Sequence, residues 1–286
     1  MAGTRCVAKI LRSKPTIEGA GVHLRRAFGF HEVPQFDPFL MLDDFGSEDP
    51  RDYILGFPWH PHRGIETVTY VLEGEVDHED SLGNKGRIGP GEVQWMTAGS
   101  GIIHQEMPQH YLGTLRGLQL WVNLPSSHKM MDPRYRDVRQ ADIPAVSPAP
   151  GVRVKVVCGS IGEARGPVRD LIVEPEYLDV QLEPGSSFIH PTRRGHRALA
   201  YVLEGRGTFA PGAKSSLSRG ELALFGDGDE VRVESGRTGA RFLFLAGRPL
   251  SEPVAWYGPI VMNSEAELDV AFREFRAGTF VKHGRT

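Results

Sequence analysis

Short apolar runs, each bounded by glycine, proline or aspartate, recur along most of the chain. Runs of this length that are rich in Val, Ile, Leu, Tyr and Phe are typical of β-strands, because helices need longer segments with a period of about 3.6 residues. Many brief strands separated by turns predict an all-β fold, built as a sandwich or a barrel. The runs lie at Thr67–Leu72, Val93–Met96, Leu118–Leu124, Val152–Val157, Tyr177–Leu182, Ala198–Leu203, Glu221–Phe225 and Arg241–Ala246.

Near the end of the chain the apolar period changes to that of a helix. Ser264 is followed three residues later by Glu267, which is the pattern of a capping box, and Gly278 is a helix stop signal. We expect a helix over 264–277, with its apolar side packed against a barrel. The residues that recur at helical spacing are Leu268, Ala271, Phe272 and Phe275.

A repeat inside the chain indicates that the β fold is built twice. The sequence of Tyr70–Gly74 returns unchanged at Tyr201–Gly205, 131 residues later. Such self-similarity predicts two copies of one β-barrel. Flanking pairs return as well: His60–Pro61 matches His190–Pro191, and Gly91–Glu92 matches Gly220–Glu221.

A connector separates the two copies. Residues 142–151 are rich in proline and alanine and show no periodicity, which is the composition of a stiff linker between packed units. We therefore expect one domain over 1–142 and a second over 143–286, the second including the helix.

Composition narrows the classes of function. Of the 286 residues, 40% are hydrophobic and 24% are charged, which is typical of a globular protein. The net charge of -3 gives no electrostatic reason to bind a phosphate backbone, so direct nucleic-acid binding is not expected. Residues 1–12 contain no long apolar stretch, so we expect neither a secretory signal nor a membrane anchor, and Cys6 and Cys158 form no CxxC pair. We expect a cytoplasmic protein with reduced thiols and no membrane contact.

Two residue pairs are candidate metal ligands: His60 with His62, and His104 with Glu106. The members of each pair are separated by one residue. Because side chains alternate between faces along a strand, both members of a pair point the same way, and both pairs can converge inside a barrel. A single histidine is more often a surface or hydrogen-bonded core residue, but two such pairs in one domain favour a metal site.

The donor set decides which ions fit such a site. Three imidazoles and one carboxylate are ligands of intermediate hardness, which suit Fe(II), Mn, Co, Ni, Cu or Zn rather than Ca or Mg. The residues alone do not choose among these metals. Four protein ligands leave one or two positions for water, substrate or dioxygen, which predicts chemistry or sensing.

The second copy keeps the fold residues of the repeat but loses most of the ligands. When the two copies are aligned on the shared motif, only His60 finds a histidine, at His190. The other three ligand positions become Thr192, Val233 and Ser235. We therefore expect one metal ion per chain, bound in the domain over 1–142.

Several stretches of the chain resemble the pirin family of the cupin superfamily, and together they cover almost the whole chain. The most specific are His60–Gly74 and Gln94–Pro108, and the others are Phe36–Phe45, Trp121–Pro125, Lys129–Tyr135 and Gly258–Asn263. The resemblance implies a bicupin, with two antiparallel β-barrels of the jelly-roll type and a C-terminal helix that returns to the N-terminal domain. It also implies Fe(II) as the native metal, whereas bacterial relatives with quercetinase activity tolerate several divalent ions.

The carboxylate ligand distinguishes pirins from other cupins. Cupins in general take it from the first motif, where Glu66 stands in this chain. Pirins take it from the second motif, two residues after the third histidine, where Glu106 stands. The resemblance thus implies Glu106 as the ligand and Glu66 as an outer residue, with ligation by Glu66 as the alternative.

The resemblance further implies a flavonol 2,4-dioxygenase of the quercetinase type, also called a quercetin 2,3-dioxygenase. A small planar aromatic substrate would lose the proton of its 3-hydroxyl, with Glu106 as the catalytic base, and react with dioxygen to release carbon monoxide. Some apolar residues near the ligands either line a pocket for that substrate or belong to the barrel core: Phe57, Trp59, Trp95, Met96 and Met107.

A second hypothesis belongs to a different class of function. Pirins of eukaryotes act as transcriptional cofactors, so the resemblance also allows a non-enzymatic regulatory protein. In that case the redox state of the metal would alter a surface that binds a protein partner.

Overall fold

The structure, a computed structural model, describes residues 3–109, 113–211 and 215–283. Over these residues it consists of β-strands, four short 3₁₀ segments and one α-helix, α1 (Glu265–Arg276). The strands are β1 (Val7–Arg12), β2 (Lys14–Glu18), β3 (Val22–Phe28), β4 (Phe39–Ser47), β5 (Phe57–His62), β6 (Ile65–Glu73), β7 (Val76–Asp80), β8 (Lys85–Ile88), β9 (Val93–Thr97), β10 (Ile102–Pro108), β11 (Leu115–Asn123), β12 (Arg134–Val138), β13 (Ala145–Val146), β14 (Val152–Cys158), β15 (Ser160–Ile161), β16 (Ala164–Arg165), β17 (Glu176–Leu182), β18 (Ser187–Pro191), β19 (Arg197–Thr208), β20 (Ser216–Ser218), β21 (Glu221–Phe225), β22 (Glu230–Gly247), β23 (Ala255–Tyr257) and β24 (Ile260–Met262).

The predicted all-β fold with a C-terminal helix is confirmed. Each apolar run singled out in the sequence falls on a strand, from β6 in the first copy of the repeat to β22 in the second. Apart from β21, which matches its run, these strands are longer than the apolar runs, because pairing continues through residues beside the apolar stretch.

By packing, the chain forms two compact units. One, here called the N-terminal barrel, contains the described residues of Lys14–Gln35, Phe39–Gln140 and Leu250–Thr286. The other, the C-terminal barrel, contains the described residues of Met1–Ser13, together with Phe36–Pro38 and Ala141–Pro249. The first residues of the chain, up to Ser13, are thus grouped with the C-terminal barrel, and the residues from Leu250 onwards are grouped with the N-terminal barrel. A domain boundary at residue 142 stays a prediction.

The N-terminal barrel is built from two antiparallel sheets. Over the described residues, one sheet has the order β12-β9-β6-β11-β4-β3-β2 and the other the order β5-β10-β7-β8. Buried Phe45 and Val71 of the first sheet pack in one cluster with Val76 and Ile88 of the second. The core therefore lies between the sheets, and the inward faces of β5 and β10 look into it.

The C-terminal barrel repeats this arrangement with its own strands. The motif strand β6 lies between β9 and β11, and its counterpart β19 lies between β21 and β22. Tyr70 and Tyr201, which open the repeated motif, are both fully buried. The first part of the long strand β22 pairs with β18, as β10 pairs with β5. The sequence repeat is thus a repeat of structure.

The C-terminal segment of the chain belongs to the N-terminal barrel. It consists of the β23–β24 hairpin, helix α1 and the following residues up to 283. The Ser264 side chain caps α1 by accepting from the Glu267 amide, and Leu268 and Ala271 are buried, whereas Phe275 stays 39% exposed. In the described part of the chain, no helix is long and apolar enough to cross a membrane.

A buried lysine ties this segment to the barrel. The Lys129 ammonium donates to the carbonyl oxygens of Gly64 (2.9 Å) and Val261 (3.1 Å) and to the side-chain oxygen of Asn123 (2.6 Å). Burial lowers the pKa of Lys129 from 10.5 to about 7, only partly opposed by the more distant carboxylates of Glu252 and Glu267.

This pKa predicts how stability depends on pH. Between the folded value of about 7 and the unfolded value of 10.5, unfolding takes up a proton at Lys129, so this group makes the folded state more stable as pH rises. The free energy of unfolding of the wild type relative to Lys129→Met should therefore increase by roughly 2 kcal/mol between about pH 7 and about pH 9. Urea unfolding of both proteins at the two pH values measures the change, and a constant difference would contradict it.

Candidate metal centre

Strands β5 and β10 position the candidate ligands. The two strands pair antiparallel, with His104 opposite His60 and Ile102 opposite His62. Alternation along β5 places His60 and His62 on one face, and pairing brings His104 beside them. The ligand nitrogens of the three histidines all lie within 4.8 Å of one another. Among the described residues, these histidines are the group of three or more potential ligand residues that could hold a metal ion.

The three imidazoles meet through their Nε2 atoms. Nε2 of His60 lies 3.0 Å from Nε2 of His62 and 2.9 Å from Nε2 of His104. At a metal–nitrogen distance of about 2.1 Å, two ligands at right angles around an ion lie about 3.0 Å apart. The spacing of the imidazoles therefore fits a metal with octahedral angles.

Hydrogen bonds on the far side of two rings explain why Nε2 is the inward atom. Nδ1 of His60 lies 2.8 Å from the carbonyl oxygen of Pro58, and Nδ1 of His62 lies 2.9 Å from that of Pro259. A carbonyl only accepts hydrogen bonds, so each Nδ1 carries the proton and each neutral ring presents a lone pair at Nε2. Two lone pairs that face each other repel, and a cation between them removes the repulsion.

Burial keeps His62 and His104 in the neutral form that a metal requires. Burial lowers the pKa of His62 well below its ordinary value, and the neighbouring His60 adds to this. The pKa of His104 is lowered in the same way, first by burial and then by the surrounding histidines. Neutral imidazole is the ligand form of histidine, so His62 and His104 fit a transition metal.

Glu106 lies on the same strand as His104 and is buried, with 3% of its surface exposed. Its carboxylate accepts hydrogen bonds from the hydroxyl of Thr69 (2.7 Å) and from the side-chain amide of Gln119 (2.7 Å). Its oxygens do not join the group within 4.8 Å that the three histidines form. Each carboxylate oxygen has a second lone pair, so these hydrogen bonds are compatible with ligation.

Glu66 projects from the other face of its strand. On β6, Ile65 and Val71 lie in the core clusters between the sheets, and Thr69 reaches Glu106. Residues of even number on this strand point the opposite way, because side chains alternate. Glu66 accepts from the Thr97 hydroxyl (2.6 Å), and burial raises its pKa against the opposing effect of this bond. The geometry thus directs Glu66 away from the histidines.

A cavity of about 750 Å³ opens onto His60 and His62. Phe57, Trp121 and Trp256 are among the residues of its wall. The Trp121 ring stands edge-on to His62 with centroids 5.0 Å apart, and Trp256 lies 5.7 Å from Trp121. The centre therefore faces an aromatic-walled space of the size that holds small organic ligands.

The apolar residues near the ligands in sequence have different fates. Phe57 lines the cavity, whereas Trp95 and Met96 are fully buried in the core and Trp59 is 48% exposed at the surface. Trp121 and Trp256 lie far from the ligands in sequence, so proximity along the chain did not indicate them. Trp121 belongs to a stretch that resembles pirins, but the sequence does not indicate that it lines the pocket.

The polar residues of the cavity wall were also missed. Arg26 donates from Nε (2.8 Å) and Nη2 (2.7 Å) to the two oxygens of Asp43, and its Nη1 lies 2.9 Å from Glu18. Asp43 is 3% exposed, and burial raises its pKa while Arg26 opposes the increase. These three charges sum to a net charge of about -1 when ionised, so this part of the wall offers hydrogen bonds but no excess positive charge.

In the C-terminal barrel the repeat counterpart of His60 has a different environment. His190 is buried, and its Nε2 lies 3.0 Å from the carboxylate of Glu176. Its ring stacks on Phe188 and stands edge-on to Phe244. A carboxylate partner and an aromatic surround account for the buried position of this histidine.

Comparison with protein families identifies the class to which this fold and this site belong. Residues 21–122 match the model of the pirin family, and residues 177–281 match that of the pirin C-terminal cupin domain. The chain is a member of the pirin family, with the bicupin fold.

Similar proteins extend this result over the full length. A protein of Pseudomonas aeruginosa, provisionally named a quercetin 2,3-dioxygenase, is 46% identical over 282 residues, which is 97% of this chain and 99% of that one. The crystal structure of quercetin 2,3-dioxygenase from Acinetobacter baumannii superimposes with a TM-score of 0.90 at 33% identity, covering 97% of this chain and 99% of that one. A bacterial pirin from Escherichia coli in complex with nickel(II) shares the fold, with a TM-score of 0.67 at 24% identity over 84% of this chain and 98% of that one.

Proposed function

We propose that this protein is a metal-dependent dioxygenase that cleaves flavonols such as quercetin. The observation that carries the proposal is the three-histidine centre at the end of an aromatic-walled cavity of about 750 Å³. A metal with open positions beside an apolar cavity can bind a planar substrate and dioxygen together. The relatives named for quercetin 2,3-dioxygenase activity support the same reaction.

In this proposal the metal is held by His60, His62, His104 and Glu106. When bound, the metal would act as a Lewis acid for the deprotonated substrate and for dioxygen. We propose Fe(II) as the native ion, with Cu, Mn, Co, Ni and Zn as further ions that this donor set accepts. The nickel(II) complex of the Escherichia coli pirin supports nickel as one of these ions.

Glu106 has a second role as the catalytic base. Its carboxylate is held by Thr69 and Gln119, and Gln119 also lines the cavity. It would accept the proton of the substrate's 3-hydroxyl, which makes the flavonol ring electron-rich. Dioxygen then adds across the central ring, two carbon–carbon bonds break, and one carbon leaves as carbon monoxide. Both atoms of dioxygen remain in the depside and no external reductant is required.

The cavity wall suits a polyhydroxylated aromatic substrate. Trp121 and Trp256 offer ring faces and edges to a planar molecule. Arg26 can donate to a substrate hydroxyl, and Asp43 or Glu18 can accept from one. Because the three charges leave no positive excess, neutral hydroxyls should bind there better than carboxylates.

The first test is release of carbon monoxide from quercetin. Protein loaded with Fe(II) should consume one dioxygen and release one carbon monoxide per quercetin, because the reaction inserts both oxygen atoms into the product. Chelated protein should lose the activity, and reloading should restore it. Metal-loaded protein that leaves quercetin unchanged under air would overturn the proposal.

The regulatory hypothesis gives a different result in the same experiment. A redox-responsive protein would bind the metal tightly and show no turnover, and its partner binding would change with the metal's oxidation state. We place either activity in the cytoplasm, where the free thiols of Cys6 and Cys158 would remain reduced.

A further inference from the structure

The orientation of one metal ligand depends on a distant part of the chain. Nδ1 of His60 donates a hydrogen bond to the carbonyl of Pro58, which lies two residues away on the same strand. Nδ1 of His62 donates a hydrogen bond to the carbonyl of Pro259, which lies 197 residues away, in the turn of the β23–β24 hairpin (Ala255–Met262). The ring of His62 is therefore held by the C-terminal segment.

The two residues after His62 also contact this hairpin. The amide of Val261 donates to the carbonyl of Arg63 at 3.1 Å, so β24 runs alongside the ligand strand. Gly64 has a φ of +79°, and a β-carbon at this position would lie 1.9 Å from the Val261 carbonyl oxygen. Only glycine allows the hairpin to approach this closely.

Lys129 holds the two partners together. Its ammonium donates to the carbonyl of Gly64 on one side and to the carbonyl of Val261 on the other. It is 1% exposed, so water does not compete with these hydrogen bonds. The lysine thus links the segment after the ligand strand to the hairpin without touching a histidine.

Arg63 extends the connection to the end of the C-terminal segment. Its guanidinium donates to the carbonyls of Ser100 (2.7 Å) and Phe280 (2.9 Å) and lies 2.8 Å from the carboxylate of Glu274. It also lies 4.3 Å from the centre of the Phe280 ring. The β23–β24 hairpin, helix α1 and the residues after the helix therefore all contact Arg63, which follows His62.

We propose that the β23–β24 hairpin positions the metal site, with the Pro259 carbonyl fixing His62 so that Nε2 faces the ion and Lys129 holding the hairpin in place. Tyr257 and Gly258 of the same hairpin line the cavity, so the element that orients the ligand also shapes the space for the substrate. The inference rests on the histidine metal site and not on dioxygenase activity.

A thermodynamic consequence follows from this contact. If the hairpin raises metal affinity when it contacts the residues next to His62, bound metal must stabilise that contact by the same free energy. Metal binding should therefore protect the hairpin amides, above all that of Val261, from hydrogen exchange.

The test is hydrogen exchange of the full chain with and without Co(II). Exchange of the 255–262 amides should slow by at least about 10-fold when the metal is bound, since a ligand that favours the closed state reduces local opening. The β15–β16 hairpin of the C-terminal barrel, also two-stranded, serves as the internal control and should exchange at the same rate in both samples. Co(II) that binds at the histidines without slowing exchange of the 255–262 amides would overturn the proposal.

A variant pair separates positioning from general destabilisation. Lys129→Met should lower Co(II) affinity by about 10-fold, because residues that orient metal ligands have effects of that order. It should also shift the visible absorption of bound Co(II), which reports ligand geometry. Lys155→Met, at a half-buried lysine of the C-terminal barrel, should change neither.

The outcomes distinguish the hairpin from the metal site. If Co(II) does not bind to the wild type, the histidine site itself is wrong, and the hairpin proposal is wrong with it. If Lys129→Met binds Co(II) with unchanged affinity and spectrum, Lys129 does not hold the hairpin for the metal. Should Lys129→Met fail to fold, the exchange experiment on the wild type decides alone.

Discussion

Replacing His62 by alanine is expected to abolish tight binding of a divalent transition metal and to leave the fold in place. Loss of an outer residue that orients a ligand usually lowers affinity by about 10- to 100-fold, so loss of a ligand itself should exceed about 100-fold. The fold should persist because the apolar clusters around Val71 and Ile102, not the ion, supply most of the stabilisation. Elemental analysis and circular dichroism measure the two effects.

His190→Ala is the matched control for this experiment. His190 is the repeat counterpart of His60, is equally a strand residue, and has Glu176 as its partner. Its replacement should leave the metal content at one ion per chain. Two tightly held ions per wild-type chain, or full metal content in His62→Ala, would show that the ion is not bound as proposed. An unfolded His62→Ala protein would show that the metal supports the fold.

The part of the site that was predictable from the sequence is the part governed by strand alternation. His60 and His62, like His104 and Glu106, are separated by one residue, and a strand places such residues on one face whatever its surroundings. The repeat added the prediction that the two pairs lie in one of two β-barrels, inside which they can converge. These are local rules, and local rules can be applied to a sequence alone.

The remainder of the site depends on contacts between distant segments. Nothing in the residues around Pro259 indicates that its carbonyl accepts a hydrogen bond from His62, since every residue has a carbonyl. The pairing of Arg26 with Asp43 across β3 and β4 places both in the cavity wall, but each is an ordinary charged strand residue in the sequence. Such partners are determined by the packing of the barrel.

The same reasoning applies to the two ends of the chain. Strand β1 pairs with β21 in the C-terminal barrel, and the alternation of Val7–Arg12 contains no information about that partner. The stripe of Leu268, Ala271, Phe272 and Phe275 predicted that helix α1 packs against a barrel, and the family resemblance implied the N-terminal one. Leu268 and Ala271 are buried there, whereas Phe275 is 39% exposed. Position along the chain had suggested the opposite grouping.

Glu106→Gln is expected to lower metal affinity and to lower any dioxygenase activity further. The substitution keeps the shape of the side chain but removes its charge, so the proposed anionic ligand and the proposed base are both lost. In the wild type, Thr69 and Gln119 each donate a hydrogen bond to one of the two carboxylate oxygens of Glu106. Glutamine has only one acceptor oxygen in its side chain. One of the two donors must turn, which leaves the strand pairing unchanged. Metal titration and carbon monoxide release measure the two losses separately.

Glu66→Gln is the control that separates the two carboxylates. Glu66 and Glu106 are both buried, and both accept a hydrogen bond from a threonine, so loss of a buried charge is common to the two variants. They differ in direction, because Glu66 lies on the face of β6 opposite to Thr69, which contacts Glu106. Metal content should therefore fall in Glu106→Gln and stay near the wild-type level in Glu66→Gln. The reverse order would assign the ligand to Glu66 and would require β6 to turn its even-numbered side chains towards the histidines.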